Sequence, residues 1–115
     1  METSVALLGQ TAAIASTTLI TANATALFLL ATYMVCSSSG YVGDNAGLIV
    51  TWTDETTTTQ TFLDSTLELD TLGNLVNYAV QAILAVNGST VYYSTSYNAQ
   101  FSPAYDLFIH LKQLT

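Results

Sequence analysis

Apolar and polar side chains alternate along several short stretches of this chain, with a period of two residues. The alternation is clearest at residues 46–53, where Val50 and Trp52 share one face, and it returns at 57–63 after a polar turn at 54–56. A period of two, together with many β-branched and aromatic residues, is typical of a half-buried β-strand. The pattern therefore predicts that these two segments form a hairpin.

Residues 72–86 fit two kinds of element. A stripe of apolar residues at helical spacing, followed by Asn87-Gly88 as a C-terminal stop, would form a helix. Strict alternation fits the same residues as a strand. We favour the strand, because Asn87-Gly88 followed by the β-prone segment 90–97 is typical of a hairpin with a tight turn.

The two ends of the chain add further strands. Residues 4–8, a turn at 9–10 and residues 11–20 are β-prone and rich in threonine and alanine. At the other end, residues 105–112 alternate, and the side chains expected to point inward are Tyr105, Leu107, Ile109 and Leu111. About eight strands at this spacing are typical of an antiparallel sandwich or barrel. We predict an all-β fold and a single domain over residues 1–115.

The segment "TALFLLATYMVC" is the most apolar part of the chain. Its apolar run covers residues 26–36, whereas a membrane-spanning helix needs about 20 such residues, and no lysine or arginine flanks it. We therefore predict a strand that is buried on both faces, one against the core and the other against a packed neighbour.

Composition limits the partners. Hydrophobic residues make up 50% of the chain and charged residues 8%, compared with about 25% charged in an average domain. Apolar surface that few charges can cover favours self-association. The net charge is −7, with a single basic residue, Lys112, and no arginine, so the sequence argues against binding to nucleic acid or to an anionic membrane.

The sequence offers no constellation for catalysis. His110 is the only histidine, and strand spacing would hold it about 13 Å from Asp106, too far for a hydrogen-bonded pair. Cys36 is the only cysteine and is expected to be a small buried hydrophobe. No signal peptide precedes the apolar run, so synthesis in a reducing cytoplasm is expected. We predict no enzymatic activity.

No cofactor or metal site is predicted either. Asp64, Glu68 and Asp70 could share an edge loop, but their spacing matches no calcium loop. The tyrosines would serve either as a carbohydrate-binding face or as core and subunit contacts, and we favour the second role. The residues predicted to form an interface are Tyr92, Tyr93, Tyr97, Tyr105, Phe108 and His110.

Several segments resemble a small β-domain that recurs in structural proteins of tailed bacteriophages. The segments are "GQTAAIASTTLI", "FLLATYMVC", "LIVTWTDE", "QTFLDSTLEL" and "TVYYSTSYNAQFSPAYDLFIHLKQL". Together they cover roughly residues 9–114. The chain departs from the family at 28–30, where Phe-Leu-Leu stands in place of a frequent Tyr-Arg-Val and removes an arginine.

The resemblance implies a jelly-roll-like sandwich that forms homotrimers on a virion surface. The function it implies is that of a capsid decoration, or cement, protein that binds the major capsid protein at the outer capsid surface and stabilises the shell, without a cofactor. Residues 1–8, if not tied into the sheet, would be an N-terminal arm that reaches a neighbour. The alternative is a receptor- or glycan-binding module of a phage tail fibre.

Overall fold

A computed structural model of the chain describes residues 1–63 and 66–115, and the side chains of all of these except 63 and 77–80. Every regular element in this part is a β-strand. The strands are β1 (Glu2–Gln10), β2 (Thr17–Thr21), β3 (Ala26–Ser38), β4 (Asn45–Thr53), β5 (Thr59–Leu63), β6 (Leu67–Glu68), β7 (Leu75–Ala85), β8 (Thr90–Asn98) and β9 (Ala104–Gln113). Among the described residues there is no helix with the length and apolar character needed to cross a membrane.

The strands form two antiparallel sheets packed face to face. The first sheet has the order β1-β9-β3-β7, and the second has the order β2-β8-β4-β5, with the two-residue β6 paired beside β5 on β4. Successive strands thus alternate between sheets at most connections, which is the arrangement of a jelly roll. The predicted antiparallel jelly-roll-like sandwich is confirmed, and β6 accounts for the strand beyond the eight expected.

The core lies between the sheets and is built from every second residue of the central strands. On β9 the alternation was predicted correctly, since Tyr105, Leu107, Ile109 and Leu111 are all buried. The large buried side chains that meet them are Phe28, Leu30 and Met34 from β3 and Leu48, Val50 and Val91 from the second sheet. With so few ion pairs available, burial of these apolar side chains dominates stability.

Strand β3 is central to the first sheet, between β9 and β7. Its existence was predicted correctly, but the chain itself covers only one of its faces. Alternate residues from Ala26 to Cys36 are buried, whereas the residues between them are half-buried. The expected burial against the core is confirmed for one face, and cover of the second face by a packed neighbour stays a prediction, because that face points away from the other sheet.

The predicted strand at 72–86 is present as β7, but its hairpin with β8 is wrong. Strand β7 pairs with β3, whereas β8 pairs with β2 and β4 in the other sheet. The tight turn at Asn87-Gly88 exists, with Gly88 at a φ of 84° that favours glycine. Its amide donates to the Ala22 carbonyl at 2.8 Å, so the turn carries the chain across the sandwich.

The start of the chain is tied into the first sheet. Residues Glu2–Leu7 pair residue by residue with β9, so residues 1–8 are not the free N-terminal arm that was considered from the sequence. The turn expected at Gly9 is instead a bulge, where the register shifts and Gly9 takes a φ of 61°. A glycine with positive φ at a bulge lets the strand continue while one residue stays unpaired.

The strand expected at 11–20 is shorter, because residues 11–16 cross from the first sheet to the second. Ile14 exchanges hydrogen bonds with Thr95, whose side chain and backbone both take part. The Tyr105 hydroxyl donates to the Ala12 carbonyl at 2.8 Å. These bonds satisfy backbone groups that a strand would pair with a neighbour, so pairing begins only at Thr17.

Candidate functional site

The outer face of the first sheet is a broad apolar surface, which we call the apolar face. Opposite residues in the register share a face of a sheet, so the pairs Ala31–His110 and Tyr33–Phe108 stand side by side on it. Its members are Ser4 and Ala6 of β1, Phe108 and His110 of β9, Leu27, Leu29, Ala31, Tyr33 and Val35 of β3, and Ala82 and Leu84 of β7. Among the described side chains, the register also places Glu2 and Lys112 on this side, level with Leu29, and Asp106, level with Val35.

A depression of about 360 Å³ lies near the centre of the apolar face. It forms because small side chains, Ala6 and Ala31, neighbour the large rings of Tyr33 and Phe108 across the strands. The two rings meet edge to face, with centroids 6.1 Å apart and planes at 60°. An apolar depression on a sheet face with few charges is suited to another apolar surface.

His110 borders this depression and is held by two residues of β1. Its Nδ1 lies 2.7 Å from the Ser4 hydroxyl oxygen, and its Nε2 lies 3.3 Å from Glu2 Oε1. The His110 and Glu2 side chains are about half exposed, so this contact contributes little to stability. Together with the Ser4 bond, it orients the imidazole ring at the border of the depression.

The outer face of the second sheet is chemically different, and we call it the hydroxyl face. Cross-strand pairs there join Thr51 to Thr61 and Thr53 to Thr59, and Gly47 faces Ser96. Hydroxyl groups bond readily with water, so this face is suited to solvent without a partner. Tyr92 is the large aromatic side chain exposed on it, opposite Thr51.

The six residues predicted to form an interface do not come together. Phe108 and His110 lie on the apolar face and Tyr92 on the hydroxyl face, whereas Tyr93 and Tyr105 are core residues. Tyr97 is half-buried at the end of β8 and donates to the Pro103 carbonyl at 2.8 Å. Two of the six, Phe108 and His110, therefore share a surface.

Tyr105 has a structural role, because its buried hydroxyl group forms hydrogen bonds inside the sandwich. Its ring is fully buried, and its hydroxyl shares a 2.7 Å hydrogen bond with Thr95 Oγ1 as well as bonding Ala12. Burial raises the pKa of the Tyr105 phenol, and burial with the nearby Asp44 charge raises the pKa of Tyr97. Both phenols stay neutral at ordinary pH and serve as hydrogen-bonding groups.

A second exposed apolar cluster lies at one end of the sandwich and was not predicted. Its members are Tyr41, Val42 and Phe101, which are 53%, 87% and 62% exposed, and we call it the loop-end cluster. The rings of Tyr41 and Phe101 pack edge to face, with centroids 4.6 Å apart and planes at 87°. The sequence feature that could have indicated this cluster is "GYVGDNAG", where a tyrosine and a valine stand between glycines, because large apolar residues are unusual in a turn.

Asp44 holds the loop-end cluster in place. Its side chain is buried and accepts hydrogen bonds from the Tyr41 amide at 2.9 Å and the Gln100 amide at 3.1 Å. Its backbone joins a third segment, the one after β6, because its carbonyl accepts from the Leu69 amide. One carboxylate therefore ties together the loops that carry the two exposed rings.

The titratable side chains are scattered. Within the described ranges 1–63 and 66–115, no three or more histidine, cysteine, aspartate or glutamate side chains come close enough to hold a metal ion. Asp106 accepts from the Gly9 amide at 2.8 Å, so it has a different partner from His110. Asp64 lies outside the described residues. Cys36 is buried as expected, and burial raises the pKa of its thiol.

Comparison with known proteins shows the fold and no closer relationship. No family model matches the chain, and no curated protein matches it in sequence. Among solved structures, it is similar to the globular domain of the zebrafish complement 1qA protein, with a TM-score of 0.55 and 9% identity, covering 98% of both chains.

Two further solved structures have the same fold. One is a structure of the Gx strain of infectious bursal disease virus, with a TM-score of 0.55, 12% identity and 96% of this chain covered; the match spans 32% of the virus chain. The other is the Eiger TNF of S. frugiperda, with a TM-score of 0.50 and 10% identity, covering 99% of this chain and 93% of that one. This sandwich is thus shared by a virus protein and by complement and TNF domains.

Proposed function

We propose that the chain is a virion structural protein, a capsid decoration or cement protein that binds the outer capsid surface as a homotrimer and stabilises the shell. Such a protein acts through surfaces and needs no catalytic group. The observation that carries the proposal is the apolar face, a sheet surface with few charges on a strongly acidic protein. Apolar surface of this extent on a small domain marks a contact with another protein.

The charges favour a second copy of the chain as one partner on the apolar face. Each copy carries a net charge of −7, so copies repel each other wherever carboxylates meet. The chain's single lysine, Lys112, and single histidine, His110, both project from the first sheet on this side. Glu2 and Asp106 lie on the same side, so a contact here brings basic as well as acidic groups together, which offsets part of the repulsion.

The hydroxyl face and the loop ends would remain available in such an assembly for solvent and for the shell. The shared fold is consistent with this role, because a chain of a virus structure uses the same sandwich, and the sequence resembles a phage virion β-domain. The complement and TNF structures show that the fold also occurs outside viruses. The function therefore has to be tested on virions.

The test is the number of copies in purified virions, measured by quantitative mass spectrometry against the major capsid protein. A decoration protein follows the symmetry of the shell and should be present in on the order of hundreds of copies. A few dozen copies would contradict the proposal and favour a tail module instead.

A pair of variants tests whether incorporation into virions depends on the apolar face. Ala31→Asp places a charge at the centre of that face, and Ser94→Asp places the same charge on the central part of the hydroxyl face. Virions should lose the first variant and retain the second. Equal incorporation of both variants would overturn the role of the apolar face.

A further inference from the structure

A polar depression of about 230 Å³ lies beside the loop-end cluster, at the end of the sandwich where β8 ends and β4 begins. It is lined by Val42, Gly43, Asp44, Asn98, Ala99 and Gln100. The two loops that form its walls each carry an exposed ring next in sequence to the lining residues, Tyr41 before Val42 and Phe101 after Gln100, and these two rings contact each other. Polar groups and aromatic rings thus occur together in one small site.

We propose that this depression is a binding site for a neutral saccharide. A sugar ring has apolar C–H faces and hydroxyl groups around its edge, so it needs an aromatic surface and hydrogen-bonding groups at the same place. The exposed rings of Tyr41 and Phe101 supply the first. The exposed side-chain amides of Asn98 and Gln100 supply both donors and acceptors.

Hydrogen bonds hold the backbone of the loops around the depression. Asp44 joins the loops through the amides of Tyr41 and Gln100, and the Tyr97 hydroxyl bonds the Pro103 carbonyl. The amide of Gly40 also donates to the Leu69 carbonyl at 2.7 Å. Because the loop backbone is already held in place, binding loses less conformational entropy, which matters for a ligand that makes few contacts.

The small size of the cluster argues for a ring-sized ligand over a protein. A stable protein interface buries about 800 Å² on each partner and involves about 20–30 residues. The loop-end cluster offers three exposed apolar side chains around a depression much smaller than the one on the apolar face. Its scale suits one or two sugar rings.

The charges argue for a neutral sugar. The chain has no arginine, and Lys112 lies eight residues along β9 from the first residue of that strand, about 26 Å from this end of the sandwich. The charged group in the depression is the Asp44 carboxylate. A sialylated or phosphorylated sugar would therefore meet a negative site with no cation to pair with.

The experiment is a titration of the purified, isotope-labelled protein followed through its backbone amide NMR signals. The probes are maltohexaose, mannohexaose and chitohexaose as neutral sugars and sialyllactose as an acidic one, each up to about 10 mM, which would detect a Kd near 1 mM. We expect at least one neutral sugar to shift signals of residues 40–44 and 98–101 and sialyllactose to shift none of them.

Three variants and a matched control test the site. Tyr41→Ala and Phe101→Ala each remove a ring and should weaken binding about tenfold. Gln100→Ala keeps the backbone bond to Asp44 and removes only the side-chain amide, so it should weaken binding severalfold. Tyr92→Ala removes an exposed ring from the hydroxyl face and should leave binding unchanged.

The proposal is overturned if no neutral sugar shifts the loop-end signals, if sialyllactose binds better than the neutral sugars, or if Tyr92→Ala weakens binding as much as Tyr41→Ala. Unchanged amide signals away from the loops verify that each variant is folded. Sugar binding is measured on the free protein and shell binding on virions, so either proposal can fail without the other.

Discussion

The two outer faces of the sandwich are built on the same β-scaffold and have opposite chemistry. The apolar face presents leucine, alanine, valine and aromatic side chains from its central strands, whereas the hydroxyl face presents rows of threonine and serine. Water forms hydrogen bonds with hydroxyl groups, whereas contact between water and apolar side chains is unfavourable. The difference teaches that the two sheets of one sandwich can present unlike surfaces, one suited to solvent and the other suited to contact with a partner.

The largest difference in the free energy of unfolding is expected between substitutions on the inner and outer sides of β3. Leu30 is buried in the core, and its neighbour Leu29 is half-buried on the apolar face. Leu30→Ala should lower the free energy of unfolding by about 2–5 kcal/mol. Leu29→Ala should cost the single chain less than about 1 kcal/mol, because its side chain keeps much of its contact with water.

Urea unfolding at several protein concentrations measures this contrast. If copies associate through the apolar face, the midpoint rises with protein concentration, and Leu29→Ala reduces that rise. Leu30→Ala should lower the midpoint at every concentration. Equal losses for the two variants at all concentrations would mean that the chain itself covers the apolar face, contrary to our account.

A smaller difference in the free energy of unfolding is expected between two buried threonines, one on the inner side of each sheet. Thr95, in the second sheet, bonds the Tyr105 hydroxyl and the Ile14 amide. Thr32, in the first sheet, buries its hydroxyl without a hydrogen-bond partner among the residues that the structure describes. Thr95→Val should cost about 1–3 kcal/mol, because it removes the side-chain acceptor of the Ile14 amide and one of the two bonds of the Tyr105 hydroxyl, and Thr32→Val should be neutral or stabilising.

Thermal or urea unfolding of the two valine variants checks this prediction. Both substitutions keep the side-chain shape, so the difference between them reports on the hydrogen bonds. A cost for Thr32→Val equal to that for Thr95→Val would contradict the assignment of Thr32 as unsatisfied.

The smallest effect on stability is expected at the tip of the β4–β5 hairpin in the second sheet, where hydrogen bonds within the turn satisfy one carboxylate. The Asp54 carboxylate accepts from the Thr56 hydroxyl at 2.6 Å, the Gln60 amide at 2.7 Å and the amides of Thr56 and Thr58. These bonds, led by that of the Thr56 hydroxyl, hold the pKa of Asp54 below its ordinary value of 3.8.

The sign of the pH effect follows from that direction. A carboxyl whose pKa is lower in the folded state than in the unfolded chain stabilises the fold. This contribution is fully present at a pH above the unfolded pKa, and it is lost as the pH falls through the folded pKa. Thermal unfolding between about pH 7 and pH 2 should therefore show a decline on the acid side that Asp54→Asn reduces. The control, Glu55→Gln, removes the adjacent exposed carboxyl and should keep the decline. An identical acid decline in wild type and Asp54→Asn would contradict the assignment.

Most of the fold could be predicted from the sequence, because alternation is a local property of each strand. The pattern located the central strands and the inward side of β9 correctly, including Tyr105 and Leu107. It could not tell which sheet a strand joins. The turn at Asn87-Gly88 is the same signal whether the chain returns beside β7 or crosses to the other sheet, and only the completed core decides.

The site was less predictable than the fold. Phe108 and His110 were identified as interface residues from β9, but the depression between them depends on Ala6 and Ala31, whose small size matters only once three strands are in register. The tyrosines misled because an aromatic ring looks the same in sequence whether it fills the core, as Tyr93 does, or faces solvent, as Tyr92 does.

The most direct test of the central claim is the mass of the purified protein in solution, measured by light scattering over a range of concentrations for the wild type, Ala31→Asp and Ser94→Asp. Our account predicts a trimer for the wild type and for Ser94→Asp, and a folded monomer for Ala31→Asp, because only that charge lies on the apolar face. A wild type that stays monomeric at all concentrations, or an Ala31→Asp variant that remains trimeric, would contradict it.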